Sequence, residues 1–120
     1  MQRKKHVLWI SRHPLDAAQR EELEALCGGS ICLCWWRENV EQIRALRDAV
    51  AGADVIAAVL PMHLMAELMP LAGDRPVLIS RARRELVDGG GEEAAVRFTH
   101  GGWQRVRRLE VELEPVRTGV

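Results

Sequence analysis

The sequence has no net charge, no long apolar run near its start and no cysteine pairs at metal-ligand spacing. Seventeen lysines and arginines balance seventeen aspartates and glutamates over 120 residues. A long DNA or RNA would therefore meet no overall attraction, and we expect no such partner. After the basic start, only residues 7–10 form an apolar run. That run is too short for a signal peptide or a membrane helix, which predicts a cytoplasmic protein without a membrane partner.

Metal and cofactor motifs are missing as well. The chain has neither a phosphate loop of the Gly-x-x-x-x-Gly-Lys type nor a Gly-x-Gly-x-x-Gly after its first apolar run, and no acidic cluster suits magnesium. We interpret Cys27, Cys32 and Cys34 as small buried hydrophobic side chains in a reducing compartment. Cys32 and Cys34 lie two apart and should share one face of a strand. We expect no metal and no cofactor.

Short apolar runs alternate with helical patterns through most of the chain, which is long enough for one core. We predict strands at 7–10, 30–36, 53–60 and 77–80, and helices from Asp16 to Gly28, from Val40 to Gly52 and from Met62 to Met69, where Pro70 ends the last helix. The first two helices each follow a capping pattern, Asp16 with Gln19 and Asn39 with Gln42. This order predicts an α/β, Rossmann-like, doubly wound sheet of about four parallel strands with right-handed crossovers. Residues 1–120 are expected to form a single domain.

The last third of the chain has a different character. Its glycine-rich stretch, 88–92, predicts a flexible loop. Residues 95–99 and 104–113 then predict a C-terminal antiparallel hairpin around the glycine pair 101–102. Its second strand changes the phase of its apolar residues, which predicts a β-bulge near 107–108.

A near-repeat stands at the ends of two predicted strands. Ser11, Arg12 and His13 come after the first strand, and Ser80-Arg81-Ala82-Arg83 begins at the last residue of the fourth. Ligands of a parallel sheet bind beyond the carboxyl ends of its strands. Hydroxyl, guanidinium and imidazole groups in that place suit a phosphate-bearing ligand. The repeat therefore predicts an anion site, to which Arg81 and Arg83 would contribute as ligand contacts.

Further candidates lie at a helix start and at the predicted hairpin turn. Pro61 opens a helix, so the first turn at Met62 and His63 offers free N–H groups to an anion. His100 and Trp103 lie at the glycine turn, where the indole could stack on a base. Each candidate has a plain alternative. The histidines could be solvated loop residues, the arginines a solvated face, and Trp103 a hydrophobic closure of the hairpin.

These residue types are sufficient to break a phosphodiester without a metal. If the ligand is RNA-like, its own 2′-hydroxyl attacks the adjacent phosphorus. The protein must then hold the in-line geometry and supply a cation and an acid or base.

Several short motifs resemble those of one protein family. Ser-Arg-His-Pro stands at 11–14, Ala-Asp-Val-Ile at 53–56, Leu-Pro-x-x-Leu-x-Ala-Glu at 60–67, and Phe-Thr-His at 98–100. Together they are similar to motifs of the small ring nucleases that accompany type III CRISPR systems. The resemblance covers most of the first 70 residues and a patch near the end.

The resemblance implies a Rossmann-like homodimer that binds cyclic oligoadenylate, most often the four-membered ring, across its two-fold axis. Such proteins cleave the ring without metal and switch off antiviral signalling. Carried over by motif, Ser11, Arg12 and His13 would be the catalytic residues. Ser11 would orient the scissile phosphate, Arg12 would hold it, and His13 would assist proton transfer. Pro61 and the helix start after it would cradle phosphate.

Two other functions stay open at this point. The chain departs from the family in the Cys-Leu-Cys-Trp-Trp segment at 32–36 and in its triple-glycine loop. The first alternative is a protein that sequesters cyclic oligoadenylate without cleaving it. The second is a nucleotide-binding or interaction protein outside CRISPR signalling.

Overall fold

The structure is a computed structural model that describes residues 4–87 and 95–116, with the backbone alone at 84–87 and 95–98. In chain order the elements are β1 (Lys5–Ile10), α1 (Ala17–Leu26), β2 (Ile31–Trp36), a 3₁₀ turn (Ile43–Leu46), α2 (Arg47–Ala51), β3 (Val55–Ala58), α3 (Met62–Ala72), β4 (Val77–Val87) and β5 (Ala95–Arg105). Among the described residues, no helix combines the length and apolar character needed to cross a membrane.

These strands form one five-stranded mixed sheet in the order β2-β1-β3-β4-β5. The first four strands are parallel to one another, and β5 runs antiparallel to β4. An α/β fold with a mostly parallel sheet is therefore confirmed. The chain leaves β1 toward β2 on one side and returns to β3 on the other side. The strand order thus reverses at β1, and such a point is where open α/β sheets bind ligands.

Helices cover both faces of the sheet because β1 alternates between two apolar clusters. Val7 and Trp9 pack with Leu23 of α1 on one face. Leu8 and Ile10 pack on the other face with residues of the 3₁₀ turn, α2 and α3. All four β1 side chains are no more than 2% exposed. A strand buried on both faces reads as a continuous apolar run, which is what made β1 predictable.

The first helix begins as its sequence predicts, whereas the second does not. Asp16 and Gln19 form a complete capping box at the start of α1. The predicted helix over 40–52 is instead the 3₁₀ turn followed by the short α2. Asn39, the predicted capping residue, accepts a hydrogen bond from Arg12 Nε at 2.8 Å. Its side chain is thereby used in the tertiary structure, and no side chain caps the 3₁₀ turn.

The third helix runs past the residue that was expected to end it. Pro70 lies inside α3, which ends two residues later at Ala72, before Gly73 at a φ of 62°. A proline in a helix removes one backbone hydrogen bond. Ala72, beyond the proline, is fully buried in the core. Because this packing stabilises the last turn, the helix continues past the proline, and the prediction that it ends at Pro70 is wrong.

The fourth strand is also longer than predicted, and the hairpin is a different one. β4 continues past Ser80 to Val87 and pairs along its length with β5. β5 in turn runs straight through the glycine pair 101–102, and residues 106–116 form no strand. The predicted hairpin at 95–113 is therefore wrong. The predicted glycine-rich loop at 88–92 lies outside the described residues.

A glycine pair allows β5 to continue where a turn was expected. A Cβ on Gly101 would lie 3.1 Å from the carbonyl oxygen of Arg81, and Gly102 has a φ of 113°. A side chain at position 101 would press against that carbonyl oxygen. A side chain at position 102 would be strained, because its φ lies in a region that L-residues avoid. The register of the two strands shifts between Ser80 and Ala82. Residues 107–108 lie in no strand, so the β-bulge predicted there is wrong.

The cysteines are less buried than the sequence suggests. Cys32 and Cys34 pair with His6 and Leu8, so they share one face as predicted. All three thiols are free, and Cys34 is exposed while Cys27 and Cys32 are half-buried. The expectation of full burial is wrong because β2 is an edge strand with limited cover.

Candidate functional site

A cleft of about 480 Å³ opens where the strand order reverses, beyond the carboxyl ends of β1 and β3. Three short segments line it: residues 10–12 after β1, residues 38–41 after β2, and residues 59–61 after β3. The carboxyl ends of three parallel strands converge on this one place. It is therefore the position that the sheet topology favours for a ligand.

Ser11 is the most firmly held polar residue of the cleft. It is 7% exposed. Its backbone N–H donates to the carbonyl of Trp36 at 3.1 Å, and its carbonyl accepts from Trp35 Nε1 at 2.8 Å. Its Oγ accepts a hydrogen bond from the backbone N–H of His13 at 3.1 Å. The hydroxyl hydrogen remains available for donation to a ligand from a fixed position.

Arg12 is exposed, and one neutral contact orients it. Its Nε donates to Asn39 Oδ1 at 2.8 Å. Within the described part of the chain, its terminal nitrogens make no hydrogen bond or ion pair. A guanidinium held at Nε presents its remaining N–H groups to an anion. Arg12 shares the cleft with two carboxylates, Glu38 and Glu41, so the lining carries charges of both signs.

His13 lies next to the cleft rather than in its lining. Its carbonyl accepts from Trp9 Nε1 at 2.8 Å, and its N–H is held by Ser11. The backbone is thereby pinned while the residue remains exposed to solvent.

The start of α3 brings only one of its predicted residues into the cleft. Pro61 lines it, and its carbonyl accepts from Leu64 and Met65, the first backbone bonds of the helix. Met62 is 64% exposed. His63 instead lines a shallow groove between α3 and residues 109–113.

The second half of the predicted site lies elsewhere, on the face of the sheet covered by α1. Ser80, His100 and Trp103 form a polar cluster with two residues of α1, Gln19 and Glu22. Trp103 also packs edge-on against Trp9, with ring centroids 5.8 Å apart. Arg81 and Arg83 are exposed on β4 near this cluster. The structure thus unites Ser11, Arg12 and Pro61 and separates them from the β4–β5 candidates.

The two Ser-Arg pairs differ because β4 is longer than predicted. Ser11-Arg12 follows the last residue of β1. Because β4 continues to Val87, Ser80 and Arg81 lie within a strand, and Ser80 pairs with Trp103 of β5. The near-repeat in sequence therefore occupies two different backbone settings.

Three polar residues of the cleft, Glu38, Asn39 and Glu41, were not among the predicted site residues. They follow β2, and the carboxyl end of a parallel strand is itself the signal that could have identified them. Asn39 was predicted as a helix cap, whereas its side chain contacts Arg12. Glu22 and Gln19 were missed because only the tertiary structure brings α1 beside β5.

One titratable group lies in an unusual environment at the opposite edge of the sheet. Burial raises the pKa of the Cys27 thiol, and Asp54 raises it further, while the charge of Lys5 opposes them. Within residues 4–87 and 95–116, no three His, Cys, Asp or Glu side chains converge as metal ligands would.

Comparison with protein-family models, with curated proteins and with solved structures finds no match to this chain. The resemblance carried by residues 11–14 and 60–67 therefore stands on those motifs. What the cleft can bind follows from its own residues.

Proposed function

We propose that the protein is a metal-independent ring nuclease, a Rossmann-like homodimer that cleaves cyclic oligoadenylate, with the four-membered ring as its substrate. The observation that carries this proposal is the cleft at the reversal of strand order, where Ser11 and Arg12 meet the start of α3. A fixed hydroxyl and an oriented guanidinium form a donor pair suited to a phosphodiester.

The chemistry needs little from the protein. Arg12 binds the non-bridging oxygens of the scissile phosphate, and Ser11 donates its hydroxyl hydrogen to one of them. The ligand's 2′-hydroxyl oxygen attacks phosphorus as its proton passes to water, and the bond to the 5′-oxygen breaks. His13, exposed one residue beyond Arg12, gives a proton to the departing oxygen. The products are linear, each ending in a cyclic phosphate. Most of the acceleration comes from alignment and charge stabilisation.

The charge distribution in the cleft orients the ligand. The guanidinium of Arg12 attracts phosphate, whereas Glu38 and Glu41 repel it. A carboxylate accepts hydrogen bonds well from an exocyclic amino group such as that of adenine. The phosphate therefore lies toward Arg12, and the base lies toward the two glutamates.

The size of the cleft supports a dimer. A volume of about 480 Å³ suits one small ligand. A ring of four nucleotides is several times larger than one such ligand. A two-fold protein presents the same cleft twice to a symmetric ring, and the ring is then held between two protomers.

A second candidate function is sequestration of the ring without cleavage. It is favoured by the position of His13, which is exposed and does not line the described cleft. Without an acid at the leaving oxygen, the same donors would bind the ligand and leave it intact.

One experiment separates these functions. Purified protein is incubated with cyclic tri-, tetra- or hexa-adenylate in excess chelator, and products are followed by liquid chromatography. Linear di-adenylate from the four-membered ring is expected. Arg12→Ala should abolish both cleavage and binding, while Arg107→Ala, another exposed arginine, should leave them unchanged. An intact ring bound tightly supports sequestration. If the protein neither binds nor cleaves any of the three rings, both proposals are overturned.

A further inference from the structure

The cluster between α1 and β5 contains a serine, a histidine and a glutamate in one hydrogen-bonded chain. Ser80 Oγ lies 2.5 Å from His100 Nδ1, and His100 Nε2 lies 3.0 Å from Glu22 Oε2. The His100 side chain is 3% exposed, whereas that of Glu22 is 41% exposed. This series of hydrogen bonds therefore connects a solvent-exposed carboxylate, through a buried imidazole, to the serine hydroxyl.

The donors and acceptors in this series of hydrogen bonds determine where its protons lie. An ionised Glu22 only accepts, and its other oxygen already accepts from the backbone N–H of Trp103 at 3.1 Å. His100 therefore carries its hydrogen on Nε2 when neutral, which leaves Nδ1 as an acceptor. Ser80 must then donate its hydroxyl hydrogen to Nδ1. This is the arrangement in which a histidine activates a serine and a carboxylate orients the histidine.

A further donor stands beside the reacting oxygen. Gln19 Nε2 lies 3.3 Å from Ser80 Oγ. Gln19 is itself held by the capping box of α1, through its side chain and its backbone N–H. An anchored amide N–H next to a nucleophile can stabilise negative charge that develops during attack.

The backbone around Ser80 is shaped for this contact. The pairing register of β4 and β5 passes from Ser80 to Ala82 without a partner for Arg81. A Cβ on Gly101 would lie 3.1 Å from both the carbonyl oxygen of Arg81 and the Cβ of Arg83. The bulge exists only because glycine permits that approach, and bulges re-aim side chains next to active sites. Ser80 as a whole residue is half-buried and does not belong to the fully buried core.

We propose that Ser80 is a second nucleophilic site, which accepts the acyl group of a small carboxylic ester. Ser80 Oγ forms a bond to the carbonyl carbon as its proton passes to His100 Nδ1. The bond to the alcohol oxygen breaks, and His100 returns the proton to the departing alcohol. Water then releases the acid by the same route. The site shares no residue with the Ser11 cleft and does not depend on the proposed nuclease function.

A serine-directed reagent tests the proposal directly. The folded protein is treated with a fluorophosphonate, whose phosphorus bonds to an activated serine oxygen as fluoride leaves. Intact mass and peptide mapping should show one adduct on Ser80. Ser80→Ala should abolish it, while Ser30→Ala, at an exposed serine, should not. Release of p-nitrophenol from p-nitrophenyl acetate should follow the same pattern.

A conservative variant separates activation from a merely structural contact. Glu22→Gln keeps an acceptor for the Trp103 N–H but loses the charge that orients His100. We expect labelling of Ser80 to slow at least about tenfold while the thermal midpoint changes little. Labelling of Ser80 no faster than that of Ser30, or an unchanged rate in Glu22→Gln, would overturn the proposal.

Discussion

Arg12 and Asn39 show how a single contact prepares a residue for binding. The Nε of Arg12 is held by a neutral amide, and none of the carboxylates that the structure describes pairs with it. The guanidinium therefore keeps its full charge for a ligand while losing part of its rotational freedom. An arginine that is ordered before binding gives up less entropy when it binds.

This contact predicts the effect of a substitution that leaves every charge in place. Asn39→Ala should weaken binding of cyclic tetra-adenylate by roughly two- to tenfold, because a hydrogen bond to a charged group contributes modestly when exposed. Equilibrium binding by calorimetry measures it, with Gln104→Ala as an exposed control. Equal affinity of the Asn39→Ala and natural proteins would show that Arg12 needs no positioning.

The thiols give a second prediction at the residue scale. The raised pKa of Cys27 leaves less of it as thiolate at a given pH, and thiolate is the reactive form. Cys34 is exposed and free. Iodoacetamide near pH 8 should therefore modify Cys34 first and Cys27 last, as followed by peptide mapping. Cys27 reacting as fast as Cys34 would contradict the cause assigned to its pKa.

Among the elements, β4 and β5 depart furthest from expectation. Apolar residues alone favoured an end to β4 at Ser80 and a hairpin around the glycine pair 101–102. The strands instead extend past both points and pair from Leu78–Arg105 to Val87–Ala95. Polar residues such as Arg81 and Arg83 are tolerated in β4 because this part of the sheet is exposed. Strand length here is decided by the partner strand and not by local apolar content.

The glycine pair should therefore be required for stability. Gly101→Ala would force its Cβ to 3.1 Å from the carbonyl oxygen of Arg81. We expect a loss of about 1–3 kcal/mol in the free energy of unfolding, measured by urea denaturation. Gly52→Ala is the matched control, because its Cβ would meet nothing closer than 3.9 Å. That change should be neutral or slightly stabilising. Equal midpoints for the two variants would refute the close approach.

At the scale of the whole molecule, the sheet separates two groups of polar residues. The cleft of Ser11 and Arg12 is built with segments on the face that α2 and α3 cover. The Ser80 cluster belongs to the face that α1 covers. The two groups share no residue, so each proposal can be tested by its own substitutions.

The proposed dimer predicts a stoichiometry. If one cleft accommodates part of the ring, native mass spectrometry should show one cyclic tetra-adenylate for two protomers. Arg12→Ala should remove the ligand-bound species without removing the free dimer, because Arg12 makes no described contact beyond Asn39. One ring bound to a single protomer would contradict a shared site.

The sequence by itself determined the elements whose signals are local. The buried apolar run of β1 and the capping box of Asp16 and Gln19 are each contained in a few consecutive residues, so the sequence alone was enough to predict them. The same holds for the alternation that predicted a mostly parallel α/β sheet. The Ser11-Arg12 part of the site followed from its place after β1.

Only the tertiary structure decided the features that depend on distant partners. Asn39 binds Arg12 across 27 residues, and Glu22 binds His100 across 78. The extension of β4, the passage of β5 through its glycines and the course of α3 past Pro70 are likewise set by packing. Local preferences are worth about 1 kcal/mol per residue or less, whereas each buried apolar side chain contributes about 1.5–3 kcal/mol. Where the two disagreed in this chain, packing prevailed, and it separated two Ser-Arg motifs that look alike in the sequence.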